Sequence, residues 1–284
     1  MKLAVFTVAL PEWTPEQAVQ RLAAQGWDGI EFRVVDAPAV PADQAPAFWS
    51  GNRCTVGLSE FAARAPELGR LARDAGLGLP GVGAYPTCDE PADVERALVG
   101  TAALGAPAVR VRTPALGSAP YPELFDRARR LFPAIADRAG ELGLKVVVEL
   151  HHGTVVSSPS AALRLLDGLD PAHVGVLHDV GNMLAEGNED VPAGLQMLGP
   201  YLAHVHVKNG RWSPGSRRAD GTVAWSFGWT PMADGQADLP ALFAALRSVG
   251  YDGWVSSEDF STDLPLEERT AGNLALLRSL ATAG

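Results

Sequence analysis

Cysteine is scarce in this chain of 284 residues, with only Cys54 and Cys88 present. Two distant thiols cannot form a disulfide framework, and they lack the ligand spacing of a structural zinc site. That scarcity suits a reducing cytoplasm. Long apolar runs are missing as well. Hydrophobic residues make up 47% of the chain, yet none of their runs approaches the roughly 20 residues of a membrane span. The opening stretch MKLAVFTVALPEW is short and passes directly into a Pro-Glu-Trp turn, so it reads as a first core strand and not as a signal peptide. Positive charge is also in deficit: 23 Lys and Arg stand against 33 Asp and Glu, for a net charge of −10. A protein that coats nucleic acid needs a basic face, so that class is set aside, although a local anion pocket of a few Arg and Lys is not. No Ser- or Gly-rich linker divides the chain, and one domain over residues 1–284 is expected. No G-x-G-x-x-G follows the first apolar run, which removes the usual dinucleotide signature.

What is present is one phrase repeated about eight times: a short apolar run, a polar loop, and an Ala/Leu/Arg-rich stretch closing at Gly. Strands are expected at 2–8, 29–34, 78–84, 108–112, 145–150, 174–179, 202–208 and 253–258. Helical patterns lie between them, near 14–25, 59–76, 90–105, 121–143, 158–168, 189–199, 238–250 and 265–282. Thr14-Pro15-Glu16-Gln17 combines an N-cap, a proline at the first helical position and Gln at N3, a capping box. Ser158-Pro159 repeats the cap-plus-Pro start, and Gly26, Gly76, Gly143 and Gly250 fall where a glycine should close a helix. Alternating strands and helices imply a parallel sheet sheathed in helices. Eight such units close naturally into a (β/α)₈ barrel. Two long loops, 35–58 and 209–237, follow the second and seventh strands, on the side where barrels place their sites. They carry Trp49, Trp212, Trp225, Phe227 and Trp229, which suit either walls over a pocket or the contact of a homo-oligomer.

Acids and histidines gather at strand ends. Glu149, Asp179 and Glu258 each finish an otherwise apolar run, and His204, His206 and Lys208 alternate along one strand, so they share a face. A carboxylate at the end of a buried strand is costly unless it is paired or bound to a cation. Any one of them has an ordinary explanation, a helix cap or an Arg partner. Four cases on consecutive strands, the fifth to the eighth, all at one mouth, point to a shared ion. Three carboxylates and one imidazole make a mostly oxygen site, suited to Mn²⁺, Mg²⁺ or Co²⁺ more than to a structural zinc.

The phrases VVVELHHG, LHDVGNM, HVHVKN and WVSSEDF, with GWDGIEFR on the second strand and APAVRVR on the fourth, resemble the sugar isomerase/epimerase superfamily. That superfamily is built on the xylose isomerase-like barrel and also contains apurinic endonucleases with a metal cluster. The resemblance covers nearly the whole chain and is specific to the superfamily, not to a substrate. It implies Glu149, Asp179, His206 and Glu258 as ligands of one divalent ion, Mn²⁺ foremost, with Mg²⁺, Co²⁺ or Zn²⁺ as alternatives. It also implies Glu149 and Glu258 as the catalytic acid/base pair. In such epimerases one Glu removes the proton beside a carbonyl, giving a metal-bound enediolate. The other returns a proton to the opposite face (epimerisation) or to the neighbouring carbon (isomerisation). A lyase of the same barrel, dehydrating a keto-inositol or cleaving an oxidised glycoside, shares the first half of that chemistry.

One departure stands out. Many members carry His three residues after the Asp ligand, and here that position is Asn182, which can hold a hydroxyl but cannot shuttle a proton near neutral pH. Six histidines, at 151, 152, 173, 178, 204 and 206, are few for a multi-metal endonuclease, so a phosphodiester hydrolase is the weakest reading. His151 lies where the family often places a substrate-binding group, with the role of His152 less defined. Lys208 is expected to hold a substrate oxygen, carboxylate or phosphate, with an ion pair to Glu258 or Asp259 as the alternative. Arg33 and Arg112, nearer the strand ends, are expected at the substrate, and Trp229 over it. Glu31 and Arg110 are expected in a buried Glu–Arg network inside the barrel. His178 and His204 read as inner-barrel or supporting partners, His173 as structural on the far side, and Arg211, Arg217 and Arg218 as solvated loop charge. The expected protein is a metal-dependent isomerase or epimerase of a small carbohydrate, with a lyase as the nearest rival.

Overall fold

The computed structural model describes residues 1–282 except 42 and 188. The chain begins β1 (Lys2–Phe6), α1 (Pro15–Gln25), β2 (Gly29–Val34), α2 (Leu58–Asp74), β3 (Val82–Ala84), α3 (Pro91–Leu104), β4 (Ala108–Arg110) and α4 (Tyr121–Glu141). It continues β5 (Lys145–Glu149), α5 (Pro159–Leu166), β6 (Val174–Asp179), α6 (Val180–Glu186), α7 (Val191–Leu198) and β7 (Leu202–Val207). An antiparallel pair, β8 (Asn209–Arg217) and β9 (Val223–Thr230), precedes α8 (Leu239–Ser248), β10 (Trp254–Ser257) and α9 (Leu266–Thr282). Strands β1 to β7 and β10 pair in parallel and close into a barrel, β10 lying between β7 and β1.

Period-two alternation explains which side chains reach the interior. Ile30, Phe32 and Val34 of β2 join the core between sheet and helices, which leaves Glu31 and Arg33 inside. Val109 and Val111 do the same for Arg110 and Arg112, Val146 and Val148 for Glu149, and Val205 and Val207 for His204 and His206. Inside the barrel Phe6 fills the space beside β3, where a Cβ on Gly83 would collide with its ring. A separate small apolar cluster of Phe6, Val8 and Phe260, with Phe48, Tyr85 and Trp229 packed on it, sits toward the strands' C-terminal ends.

Local signals act as expected at the helix ends. Thr14 and Gln17 form the full capping box of α1, and Gly26 closes that helix at φ 88°. Strand lengths differ: β3 covers only the end of the expected 78–84, because Pro80 has no N–H for the ladder, and Gly78 keeps an isolated bridge to Gly29. Two elements were not anticipated, the short helix α6 and the β8–β9 hairpin inside the long seventh loop. Among the described residues no helix is long and apolar enough to cross a membrane.

Candidate metal centre

The ends of β5, β6, β7 and β10 converge. Asp179 closes β6 and also caps α6, its Oδ1 accepting from the Asn182 N–H at 2.9 Å, so its Oδ2 is left for the barrel mouth. His206 lies in register with Asp179 on one side and Ser256 on the other. One donor atom from each of Glu149, Asp179, His206 and Glu258 lies within 4.8 Å of the others, and all four residues are buried. His206 Nδ1 is 4.0 Å from Asp179 Oδ2 and 3.8 Å from Glu258 Oε2. Donors that share one ion, each about 2.0–2.2 Å from it, stand comparably far apart.

The imidazole is held from behind. His206 Nε2 and His204 Nε2 each lie 2.9 Å from Glu31 Oε2, and Ser256 Oγ donates to the same oxygen at 2.7 Å. Burial opposes a charge on Glu31, but His206 and His204 outweigh it and hold the carboxyl well below its usual range. An ionised carboxylate only accepts, so Nε2 of His206 carries hydrogen. Its Nδ1 is buried without a hydrogen-bond partner among the described residues and faces the carboxylates. An orphaned buried nitrogen is costly. A cation among those carboxylates would remove the cost, and a carboxylate behind the His is the usual way a metal-binding imidazole is oriented. The donor set therefore fits a divalent ion. Without one, burial disfavours a charged His206, but Glu31, then Glu258 and Glu149, raise it to about 9.

Each glutamate has its own surroundings. Glu149 accepts from Arg110 Nη1 at 2.6 Å and from Asn182 Nδ2 at 3.2 Å. Burial would push its carboxyl up, but Arg110, His151 and Lys208 hold it below the usual range. Glu258 is pushed up to about 7 by burial, with the like charges of Asp179 and Glu149 working against the attraction of Lys208. Lys208 Nζ donates to Asp179 Oδ2 at 2.7 Å and to Glu258 Oε2. Ionised carboxylates have lone pairs enough to serve an ammonium and an ion together.

Above the cluster is a cavity of about 390 Å³, within the range of small-ligand sites. Of the residues singled out from the sequence, Glu149, Glu258, His151, Asn182, Lys208, Arg112 and Trp229 line it. His151 Nδ1 is 2.6 Å from the His152 carbonyl, and the two rings stack at 4.6 Å. Arg33 is not brought to the wall. Its Nη1 donates to Phe48 O at 3.2 Å and Thr55 Oγ1 at 2.9 Å, behind Tyr85 and Trp49.

The buried Glu31–Arg110 network is replaced by two separate ones. Arg110, on the strand beside β5, reaches Glu149, whereas Glu31 faces β7 across the barrel and takes the histidines. His178 is corrected too. Alternation places it with Val174 and Val176, outside the barrel, with neither ring nitrogen paired among the described residues and burial lowering it to about 4. Arg110, Tyr85 and Phe260 also line the cavity and were not anticipated there. The alternation that placed Arg112 also implicated Arg110, and Phe260 follows Glu258 by two residues.

The chain belongs to the xylose isomerase-like TIM barrel family, whose profile matches residues 19–280. The inosose dehydratase of Lacticaseibacillus casei is 29% identical over 129 residues, 44% of this chain and 43% of that protein. The inosose dehydratase of Lactiplantibacillus plantarum is 34% identical over 137 residues, 45% of each chain. The matched part is thus less than half the length of these curated relatives. Among solved structures, the IOLI protein with a bound zinc atom superposes with a TM-score of 0.74 at 18% identity, covering 99% of this chain and 98% of that one. D-psicose 3-epimerase in the presence of D-fructose gives 0.73 at 17% identity, with 99% of each chain covered. At such identities the structural likeness concerns the fold alone.

Proposed function

We propose that the chain is a metal-dependent enzyme that moves a proton at the carbon beside a carbonyl of a small sugar, keto-sugar or polyol, as an epimerase or isomerase. The observation that carries this reading is the unpartnered Nδ1 of His206, fixed by Glu31 and aimed at three buried carboxylates. Glu149, Asp179, His206 and Glu258 would hold one divalent ion, and the oxygen-rich set suits Mn²⁺, Mg²⁺ or Co²⁺, with Zn²⁺ also accommodated. When bound, the ion supplies Lewis acidity to the substrate's carbonyl and hydroxyl oxygens.

The chain's own groups do the rest. Glu149 and Glu258 come to the cavity from separate strands, so one takes the proton from carbon and the other returns one. Arg110 and Asn182 clamp Glu149, and Lys208 holds Glu258 and Asp179 in place. Trp49, Trp229 and Phe260 offer apolar faces to the C–H side of a sugar ring and keep water from the reacting carbon.

A lyase is the second reading, favoured by the inosose dehydratases among the relatives matched by sequence. Proton removal would be the same, and loss of a neighbouring hydroxyl would follow, with Lys208 as the nearby proton donor.

The first test is elemental analysis of the purified protein beside a Glu149→Ala/His206→Ala variant. About one divalent ion per chain, absent from the variant, supports the centre. No metal in either, even after reloading with Mn²⁺, sinks both readings. Keto-sugars and keto-inositols in D₂O then separate them: an isomer carrying deuterium marks the epimerase or isomerase, and a product lighter by one water marks the lyase.

A further inference from the structure

The opposite wall of the cavity is built from cations. Arg112 lines it, half-buried, and among the described residues its guanidinium has neither a carboxylate within ion-pair distance nor a side-chain hydrogen bond. The acids whose charge reaches it are committed elsewhere: Glu149 to Arg110 and Asn182, and Glu90 to the Thr87 N–H. Arg110, two residues earlier at the end of β4 and facing the same way, spends Nη1 on Glu149 and Nε on the Ala84 carbonyl at 3.0 Å, and its Nη2 is buried with no partner among the described residues. Arg33 stands behind them with a buried Nε that has no partner among the described residues. All three guanidiniums surround one ring, at 4.9 Å (Arg33), 4.5 Å (Arg110) and 5.6 Å (Arg112) from the centre of Tyr85.

Three clustered cations repel one another, and an aromatic face repays only part of that cost. Burial and then the like charge of Arg110 pull Arg112 below its ordinary range. A chain with a net charge of −10 has acids to spare, yet among the described residues none lies within ion-pair distance of Arg112. The planar fork of Arg matches carboxylate and phosphate oxygens in pairs. The hydroxyl oxygens of a neutral sugar can accept from that fork but leave its charge uncompensated.

We infer that the Arg112 wall, with Arg110 behind it, is a subsite for a negatively charged substituent of the substrate, a carboxylate or a phosphate. The word substrate rests on the proposed function; the subsite itself rests on the arginines.

Titration calorimetry on the Mn²⁺-treated full chain tests it with two matched pairs, D-fructose against D-fructose 6-phosphate and D-glucose against D-glucuronate. At least one charged sugar is expected to bind about 10–100-fold tighter than its neutral partner, the range for hydrogen bonds to a charged group. Arg112→Gln should erase that gap with metal content unchanged, and Arg112→Lys should restore part of it. A gap in the first pair alone assigns phosphate, and in the second alone carboxylate. Equal affinities within both pairs, no binding of either charged sugar, or a gap that survives Arg112→Gln overturns the subsite. Metal analysis of the same samples keeps the two failures apart: protein that takes up no metal sinks the proposed reaction, while the charge-dependent gap is still read directly.

Discussion

The two halves of the barrel mouth share a scaffold and differ in charge. On β5, β6, β7 and just past β10, the inward positions nearest the mouth are Glu149, Asp179, His206 and Glu258. On β2, at and just past the end of β4, and just past β3, the corresponding region holds Arg33, Arg110, Arg112 and Tyr85. Backbone geometry is the same on both sides, since the strands are parallel and alternate inward and outward alike. The chemistry is therefore decided by which residue occupies each inward position. One half can bind a cation, the other an anion. Where β4 adjoins β5 they meet in the 2.6 Å pair between Arg110 and Glu149.

The largest effect should come from breaking the acidic half. Glu258→Gln removes one donor oxygen and one proton-transfer group without changing volume. Turnover should fall about 10²–10⁴-fold, the usual share of a general acid or base, and bound metal should fall with it while circular dichroism stays that of a folded barrel. Full turnover in this variant would show that Glu258 moves no proton.

Cutting the seam comes next. Arg110→Met leaves the Glu149 carboxylate buried without its cation, and breaking a buried pair from one side costs about 3–5 kcal/mol. Urea unfolding should show that loss in chelator-treated protein. In Mn²⁺-loaded protein the loss should be smaller, because the ion supplies the missing charge. Equal losses in both states would mean that no ion reaches Glu149.

A smaller effect is expected below the mouth. Glu31 is 2% exposed and touches no cavity wall, but it fixes the ring of His206. Glu31→Gln should weaken metal affinity about 10–100-fold, as loss of an orienting partner does, measured by competition with a chelator. An unchanged affinity would separate His206 orientation from metal binding and leave Glu31 a structural acid.

Much of this polarity was readable before any coordinates. The eight-fold strand–helix phrase gave the barrel, and carboxylates closing apolar strands marked the acidic half. The pairings across the barrel were not readable. Glu31 reaches His204 because closure brings β2 and β7 to face each other's side chains across the interior, and sequence spacing of 173 residues carries no hint of that. Helix α6 was missed because seven residues hold too little periodicity to detect, and only the Asp179 cap announces it. The hairpin did leave a signal: Asp220-Gly221, with Gly221 at φ 84°, flanked by the alternating Trp225, Phe227 and Trp229. Its polar, Pro-containing first strand obscured it.

The smallest effect concerns that hairpin, which spans both settings of an aromatic side chain. Trp229 lines the cavity, 5.1 Å from Lys208 Nζ at its ring centre and 5.6 Å from Phe260. Trp225, on the same face of β9 but nearer the tip, is 57% exposed. Trp229→Ala should cost about 0.5–1.5 kcal/mol of substrate binding, the range for an aromatic contact, seen as a several-fold rise in KM with kcat less affected. Trp225→Ala should change stability by less than about 0.5 kcal/mol and leave KM alone. A rise in KM for Trp225→Ala as well would mean that the substrate extends along the hairpin, and the wall would have to be redrawn as a groove.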